Sequence, residues 1–184
     1  MSKNRIISYL CVICSLIILC TACSGGEETV TELTGSWAAI YDTKTEVINF
    51  KKDGTVKYRD TKYDNYSLDN GWVTLNGKES LKMRYILKDK KVVFYEPRTY
   101  TLTETNTPGT IIGLWECGES YFEFNSIGQF LEDGFFSGTY SVDEENGTIT
   151  LAYEGPFDNT VFYYKLEHDT LTAEYPWTAV PTEK

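Results

Sequence analysis

Three features of this 184-residue chain predict an all-β fold of two tandem antiparallel meander modules, each a small barrel or sandwich. Apolar and polar residues alternate at every second position: Ile48/Phe50, Val56/Tyr58, Val73/Leu75, Met83/Tyr85/Leu87 and Val92/Phe94 point one way, with Asn49, Lys57, Thr74, Arg84 and Lys91 between them. That period belongs to strands with one buried and one solvated face. Turn residues punctuate these runs at short intervals, as at Lys52-Asp53-Gly54, Asn76-Gly77, Lys88-Asp89-Lys90, Ser126-Ile127-Gly128 and Glu167-His168-Asp169. The third feature is a hairpin written twice. Tyr66-Ser67-Leu68-Asp69-Asn70-Gly71-Trp72-Val73-Thr74-Leu75 returns as Tyr140-Ser141-Val142-Asp143, two inserted glutamates, then Asn146-Gly147-Thr148-Ile149-Thr150-Leu151. Asn-Gly between alternating runs is a strong hairpin signal, because both residues tolerate positive φ.

The repeat extends outward from the hairpin. Gly54 precedes Tyr66, and Gly128 precedes Tyr140, by the same twelve residues, and Phe50 and Phe124 each stand four residues before those glycines. Leu33-Thr34-Gly35-Ser36-Trp37 matches Ile111-Ile112-Gly113-Leu114-Trp115. Met83, Tyr85, Leu87, Val92 and Pro97 match Phe162, Tyr164, Leu166, Leu171 and Pro176. Two long copies imply paired modules rather than a solenoid array. The predicted organisation is a signal peptide over residues 1–22, a flexible tether over 23–32, a first β repeat over 33–104, a linker over 105–110 and a second repeat over 111–184.

The N-terminus carries an address. Lys3 and Arg5 precede a short apolar run, Ile6 to Cys20, and small residues then lead to Cys23. This is the layout of a secretory leader. Of five cysteines only Cys117 lies beyond Cys23, so the secreted domain has no disulfide to form within itself and its core must hold it. Cys117, two residues after Trp115, reads as a small core residue. Without Lys3 and Arg5, 15 basic residues face 27 acids, a mature net charge of −12. Residues 33–110 hold 13 basic and 10 acidic residues, whereas residues 111–184 hold 2 and 14. Such an acidic chain argues against a nucleic-acid partner.

Leu-x-Gly-x-Trp, Phe-x-x-x-Gly and Tyr-x-hydrophobic-Asp together resemble the small lipocalin-like β domains of bacterial surface lipoproteins. Leu33, Gly35, Trp37, Phe50, Gly54, Tyr66, Leu68 and Asp69 carry the pattern first, and Ile111, Gly113, Trp115, Phe124, Gly128, Tyr140, Val142 and Asp143 carry it again. Cys20-Thr21-Ala22-Cys23 resembles a lipobox, with Cys20 where Leu is usual. That resemblance implies lipidation of Cys23 and an extracytoplasmic protein anchored to the bacterial membrane.

A search for chemistry leads away from catalysis. The chain has no Gly-x-Ser-x-Gly elbow, phosphate loop or dinucleotide fingerprint. Its one histidine, His168, sits in a turn, and one histidine with one remaining cysteine makes no His/Cys metal site. The carboxylates Glu119, Glu123, Glu132 and Asp133 cluster in sequence, the only route to a carbohydrate-acting acid pair. No cofactor or metal is expected. Aromatic residues without a counterpart in the other copy are the better clue: Trp72, Phe135, Phe136, Phe157, Tyr163 and Trp177. Exposed rings on a rigid sheet suit an envelope polymer, a peptide or a protein partner. The expected function is a non-catalytic binding or interaction module. The alternatives are a carrier of a small apolar ligand inside a barrel, and a carbohydrate-acting enzyme.

Overall fold

The computed structural model describes residues 32–105 and 107–183. The predicted leader, Cys23 and all but the last residue of the tether lie outside them. The described residues contain fifteen strands and no helix, and none of them forms a helix long and apolar enough to cross a membrane.

The chain begins with β1 (Gly35–Ala39), β2 (Asp42–Phe50), β3 (Val56–Tyr58) and β4 (Thr61–Tyr63), each paired antiparallel to the one before. Next come β5 (Asn65–Asp69), β6 (Trp72–Asn76), β7 (Leu81–Lys88) and the long β8 (Lys91–Glu104), paired in sequence in the same way. The predicted hairpin is the β5–β6 turn: Asp69 opposes Trp72, and Asn70 and Gly71 adopt φ of 45° and 79°. Both central residues at positive φ make the primed turn that matches strand twist. Asp89 and Lys90 do the same between β7 and β8.

The second half contains β9 (Gly113–Cys117), β10 (Ser120–Phe124), β11 (Gln129–Glu132), β12 (Phe136–Asp143), β13 (Thr148–Tyr153), β14 (Thr160–Glu167) and β15 (Thr170–Pro181). From β8 to β15 each strand pairs antiparallel with the next, and β15 pairs back onto β8. These eight strands therefore close into an antiparallel barrel. Closure removes the free edges that would otherwise invite pairing with other chains.

The two long strands do more than close this ring. The first part of β15 lies beside β14, from Thr170 to Glu174, while its last part lies beside β1, from Ala179 to Pro181. β8 likewise starts beside β7 and ends beside β9. Pro97 and Pro176 fall at the changeovers, between Tyr95 and Thr101 on β8 and between Glu174 and Ala179 on β15. A proline has no N–H for a ladder, so it fits where a strand has left one neighbour and not yet met the next.

The cores follow this exchange. One contains Trp37, Ile48, Phe50, Val73, Leu75, Met83 and Phe94, with Ala179 from the chain's end. The other contains Trp115, Phe122, Phe124, Ile149, Leu151 and Phe162, with Tyr100 from β8. Tyr100, which precedes the expected linker over residues 105–110, packs in the second core, and Ala179, which follows it, packs in the first. A pattern of alternating residues specifies which side of a strand is buried, not which neighbours bury it.

Candidate ligand site

The β11–β12 hairpin and the β13–β14 loop build the site that brings two of the predicted contact rings together. Glu132 opposes Phe136, and the loop between them places Asp133 at φ 51° and Gly134 at φ 73°. Asp133 Oδ1 accepts the Tyr121 N–H at 2.7 Å, which ties this tip to β10. A Cβ on Gly134 would come within 2.8 Å of the Tyr121 hydroxyl. On the neighbouring strand Gly138 opposes Tyr153, and a Cβ there would lie 2.0 Å from the Ala152 carbonyl oxygen. Only glycine permits that approach, which keeps β12 against β13 up to Tyr153.

These elements gather three rings around a cavity of about 290 Å³. Phe136 and Phe157 have centroids 5.5 Å apart at 89°, Phe136 and Tyr153 are 6.3 Å apart at 87°, and Tyr153 and Phe157 are 6.2 Å apart at 65°. Glu132, Asp158, Thr160 and Tyr175 complete the lining. Tyr153 donates its hydroxyl to Glu132 Oε2 at 2.7 Å and stands 2.9 Å from the Tyr175 hydroxyl, which reaches Glu132 Oε1 at 3.4 Å.

Burial holds the Glu132 carboxyl above the ordinary carboxylate range; the Tyr153 hydrogen bond pulls it back and neighbouring Asp133 pushes it further up. The hydroxyls of Tyr153 and Tyr175 are also pushed up, chiefly by burial. The site therefore holds hydrogen-bonded tyrosines that keep their protons and a carboxyl held on two sides. A bond between ionised acceptor and hydroxyl donor is stronger than a neutral one, so the ionised form of Glu132 would fix both tyrosines.

The remaining predicted residues are dispersed. Phe135 stands at the tip of its hairpin, 87% exposed, beside this cavity but outside its lining. Trp72 and Tyr163 lie on the outer surface with the Arg84 guanidinium between them, 4.4 Å from the Trp72 centroid and 3.9 Å from the Tyr163 centroid. Arg84 also meets Glu174 at 3.2 Å, and Tyr95 packs edge-on against Tyr163. This group fastens β6 and β7 to β14 and β15, so these two rings are partly covered by the protein itself. Trp177 stacks on Phe94 at 5.0 Å and joins the first core. One edge of it borders a larger cleft of about 530 Å³, lined by Lys57, Arg59, Asp60, Glu96 and Arg98 among others. Arg59 and Glu96 pair there at 2.7 Å. Cys117 is half-buried against the second core, and His168 is an exposed turn residue at φ 51°.

Of the six contact candidates, the fold brings Phe136 and Phe157 into one site. Tyr153, Tyr175 and Asp158 join it without a sequence signal: alternation places both tyrosines on strands but does not reveal that their hydroxyls converge on Glu132. Glu132 was visible only as one of four clustered acids. Among the described residues, no group of three His, Cys, Asp or Glu side chains is placed to hold a metal ion. No protein-family model matches this chain, and no curated protein or solved structure matches it.

Proposed function

We propose that this protein is a lipid-anchored binding module of the bacterial cell envelope, a tandem duplication of one lipocalin-like barrel unit with exchanged end strands, and that it captures its ligand without transforming it. Duplication is supported by repeated local geometry. Trp37 Nε1 donates to the Leu33 carbonyl at 2.8 Å, and Trp115 Nε1 to the Ile111 carbonyl at 2.7 Å. Phe50 meets Tyr66 at 5.0 Å and 68°, and Phe124 meets Tyr140 at 4.9 Å and 69°. The Tyr85 N–H bonds the Gly71 carbonyl as the Tyr164 N–H bonds the Gly147 carbonyl. The lipobox-like stretch ending at Cys23 supports the anchor.

The observation that carries the binding role is the cavity walled by Phe136, Tyr153 and Phe157 over Glu132. Rings left part-exposed on a barrel wall, beside converging polar groups, form a ligand seat rather than a core. The barrel interior is filled by Trp115, Phe122, Phe124 and Phe162, which favours a seat in the wall over a carrier cavity inside. A second reading draws on the same place: Glu132 and Asp158 line one cavity, and a raised carboxyl beside a second acid is how a glycosidase pair begins. Against it, both Glu132 oxygens already face tyrosine hydroxyls. The test is native mass spectrometry of the delipidated protein after incubation with envelope extract, wild type beside Phe157→Ala. A small adduct present only on the wild type is the expected result, and its recovery chemically unaltered separates binding from catalysis. An identical spectrum for both proteins would remove this cavity as the seat.

A further inference from the structure

We infer that the cavity over Glu132 receives an organic ammonium group, carried by a small ligand or displayed on a larger one. This rests on the reading of that cavity as the ligand seat and adds the chemical class.

The first argument is charge. The lining includes two carboxylates, Glu132 and Asp158, and no Lys, Arg or His. Arg98 is not in this lining; together with Glu132, Tyr175, Asp133 and Tyr121 it lines a separate small cavity, from which its charge favours the ionised form of Glu132. An anionic ligand would meet two carboxylates and no basic side chain in the lining, whereas an ammonium would bring a positive charge to that side. The second argument is ring geometry. Three rings at 65–89° to one another, with centroids 5.5–6.3 Å apart, are spaced and tilted like the walls of a box corner. A cation lodged in such a corner lies within about 6 Å of several ring centroids, the range over which aromatic faces attract it. The third is preorganisation. Tyr153 and Tyr175 hold the Glu132 carboxylate from two sides before any ligand arrives, and Oε1 is engaged only at 3.4 Å, which leaves it capacity for a further donor. A neutral sugar could stack on one ring, but it would bring no charge to a lining whose two charged side chains are both carboxylates.

The experiment is a calorimetric titration of the delipidated protein with choline, with its uncharged isostere 3,3-dimethyl-1-butanol, and with a methyl glucoside. Choline should bind, and the isostere should bind about tenfold more weakly or worse, the loss expected when one charge-dependent contact is removed. Glu132→Gln and Asp158→Asn should each weaken choline without improving the isostere. Asp158 is exposed, so its variant tests the claim even if the Glu132 variant folds poorly. Equal binding of choline and the isostere, or choline binding indifferent to both substitutions, overturns the ammonium assignment. Binding of the glucoside but not choline, lost in Phe157→Ala, also overturns it while leaving the seat intact. If no probe binds yet the extract ligand still depends on Phe157, the class falls and the seat stands; if neither depends on Phe157, both fall.

Discussion

Trp115 shows how much of this fold rests on single side chains. Its ring is fully buried, and its indole N–H finds the Ile111 carbonyl four residues earlier, so one residue both fills a core and ties the strand's entry to it. Trp115→Ala should cost about 3–5 kcal/mol, the range for emptying a large aromatic site. Trp115→Phe should cost less, because it keeps most of the packing and loses mainly a hydrogen bond worth ~1 kcal/mol. Urea melts check both, and an unshifted midpoint for the alanine variant would contradict the assignment. Glu132 works in the opposite direction. Burial raises its carboxyl, so the folded protein retains that proton to higher pH than the unfolded chain does. Ionising it in the fold therefore carries a cost that is absent below the unfolded value, grows between the two values, and is complete above the raised one. The groups that set this balance are Tyr153 on β13, Tyr175 on β15, Asp133 in the adjoining turn and Arg98 on β8. Glu132→Gln should flatten the pH profile of the melting temperature across that acidic window. Profiles that run parallel through it would show that Glu132 titrates as a solvated acid. Because an ammonium pairs with the ionised form, choline affinity should be weaker in mildly acidic buffer than at neutral pH.

At the scale of elements, the exchange of β8 and β15 is the unusual device. Each strand serves two cores in turn, and each contains a proline at its change of neighbour. Deleting residues 176–183 would remove Trp177, which stacks on Phe94 and Tyr58, together with Ala179 and all the pairing to β1. The ring from β8 to β14, closed by Thr170–Glu174 against Pro97–Thr101, would retain its pairings. Hydrogen exchange should then accelerate in β1, β2 and the start of β8 while β9 to β13 stay protected, since local stability follows local contacts. Equal loss of protection everywhere would show that the two cores fold as one unit. Gly138 illustrates a finer contrast between the halves. It lets β12 run unbroken from Phe136 to Asp143, whereas the corresponding stretch of the first half is divided into β4 and β5 at Asp64, whose N–H turns to the Asn76 carbonyl.

At the scale of the whole molecule, charge and address are the open terms. The basic first half and the acidic second half meet at Arg84–Glu174, where a cation from one and a carboxylate from the other pair between two aromatic rings. That single part-exposed pair is worth at most ~1 kcal/mol, so it accounts for little of the cohesion between the halves. Cys23→Ser should move the protein from the membrane fraction to the soluble extracytoplasmic fraction, because serine offers no thiol for thioether lipidation and a chain without acyl groups lacks that hold on the bilayer. Unaltered fractionation would remove the anchor from the proposal.

Many of the strands, their turns and paired buried rings such as Trp37 and Trp115 could be read along the chain because each depends on near neighbours, whereas Trp177, expected as a contact ring, packs against the first core. Alternation decides which face of a strand is wet, Asn70-Gly71 decides where it reverses, and both act within a few residues. The sharing of β8 and β15 could not be read this way. The prolines at 97 and 176 were visible, but nothing local says that the chain beyond each joins another set of strands. The site depends on the same kind of distant convergence. Phe136 and Phe157 were recognisable as rings without a counterpart, yet Glu132, Tyr153 and Tyr175 come from three strands whose meeting only barrel closure determines. Short-range order was thus written in the residues themselves, while the closure that joins distant strands, and with it the cavity, belongs to the tertiary structure.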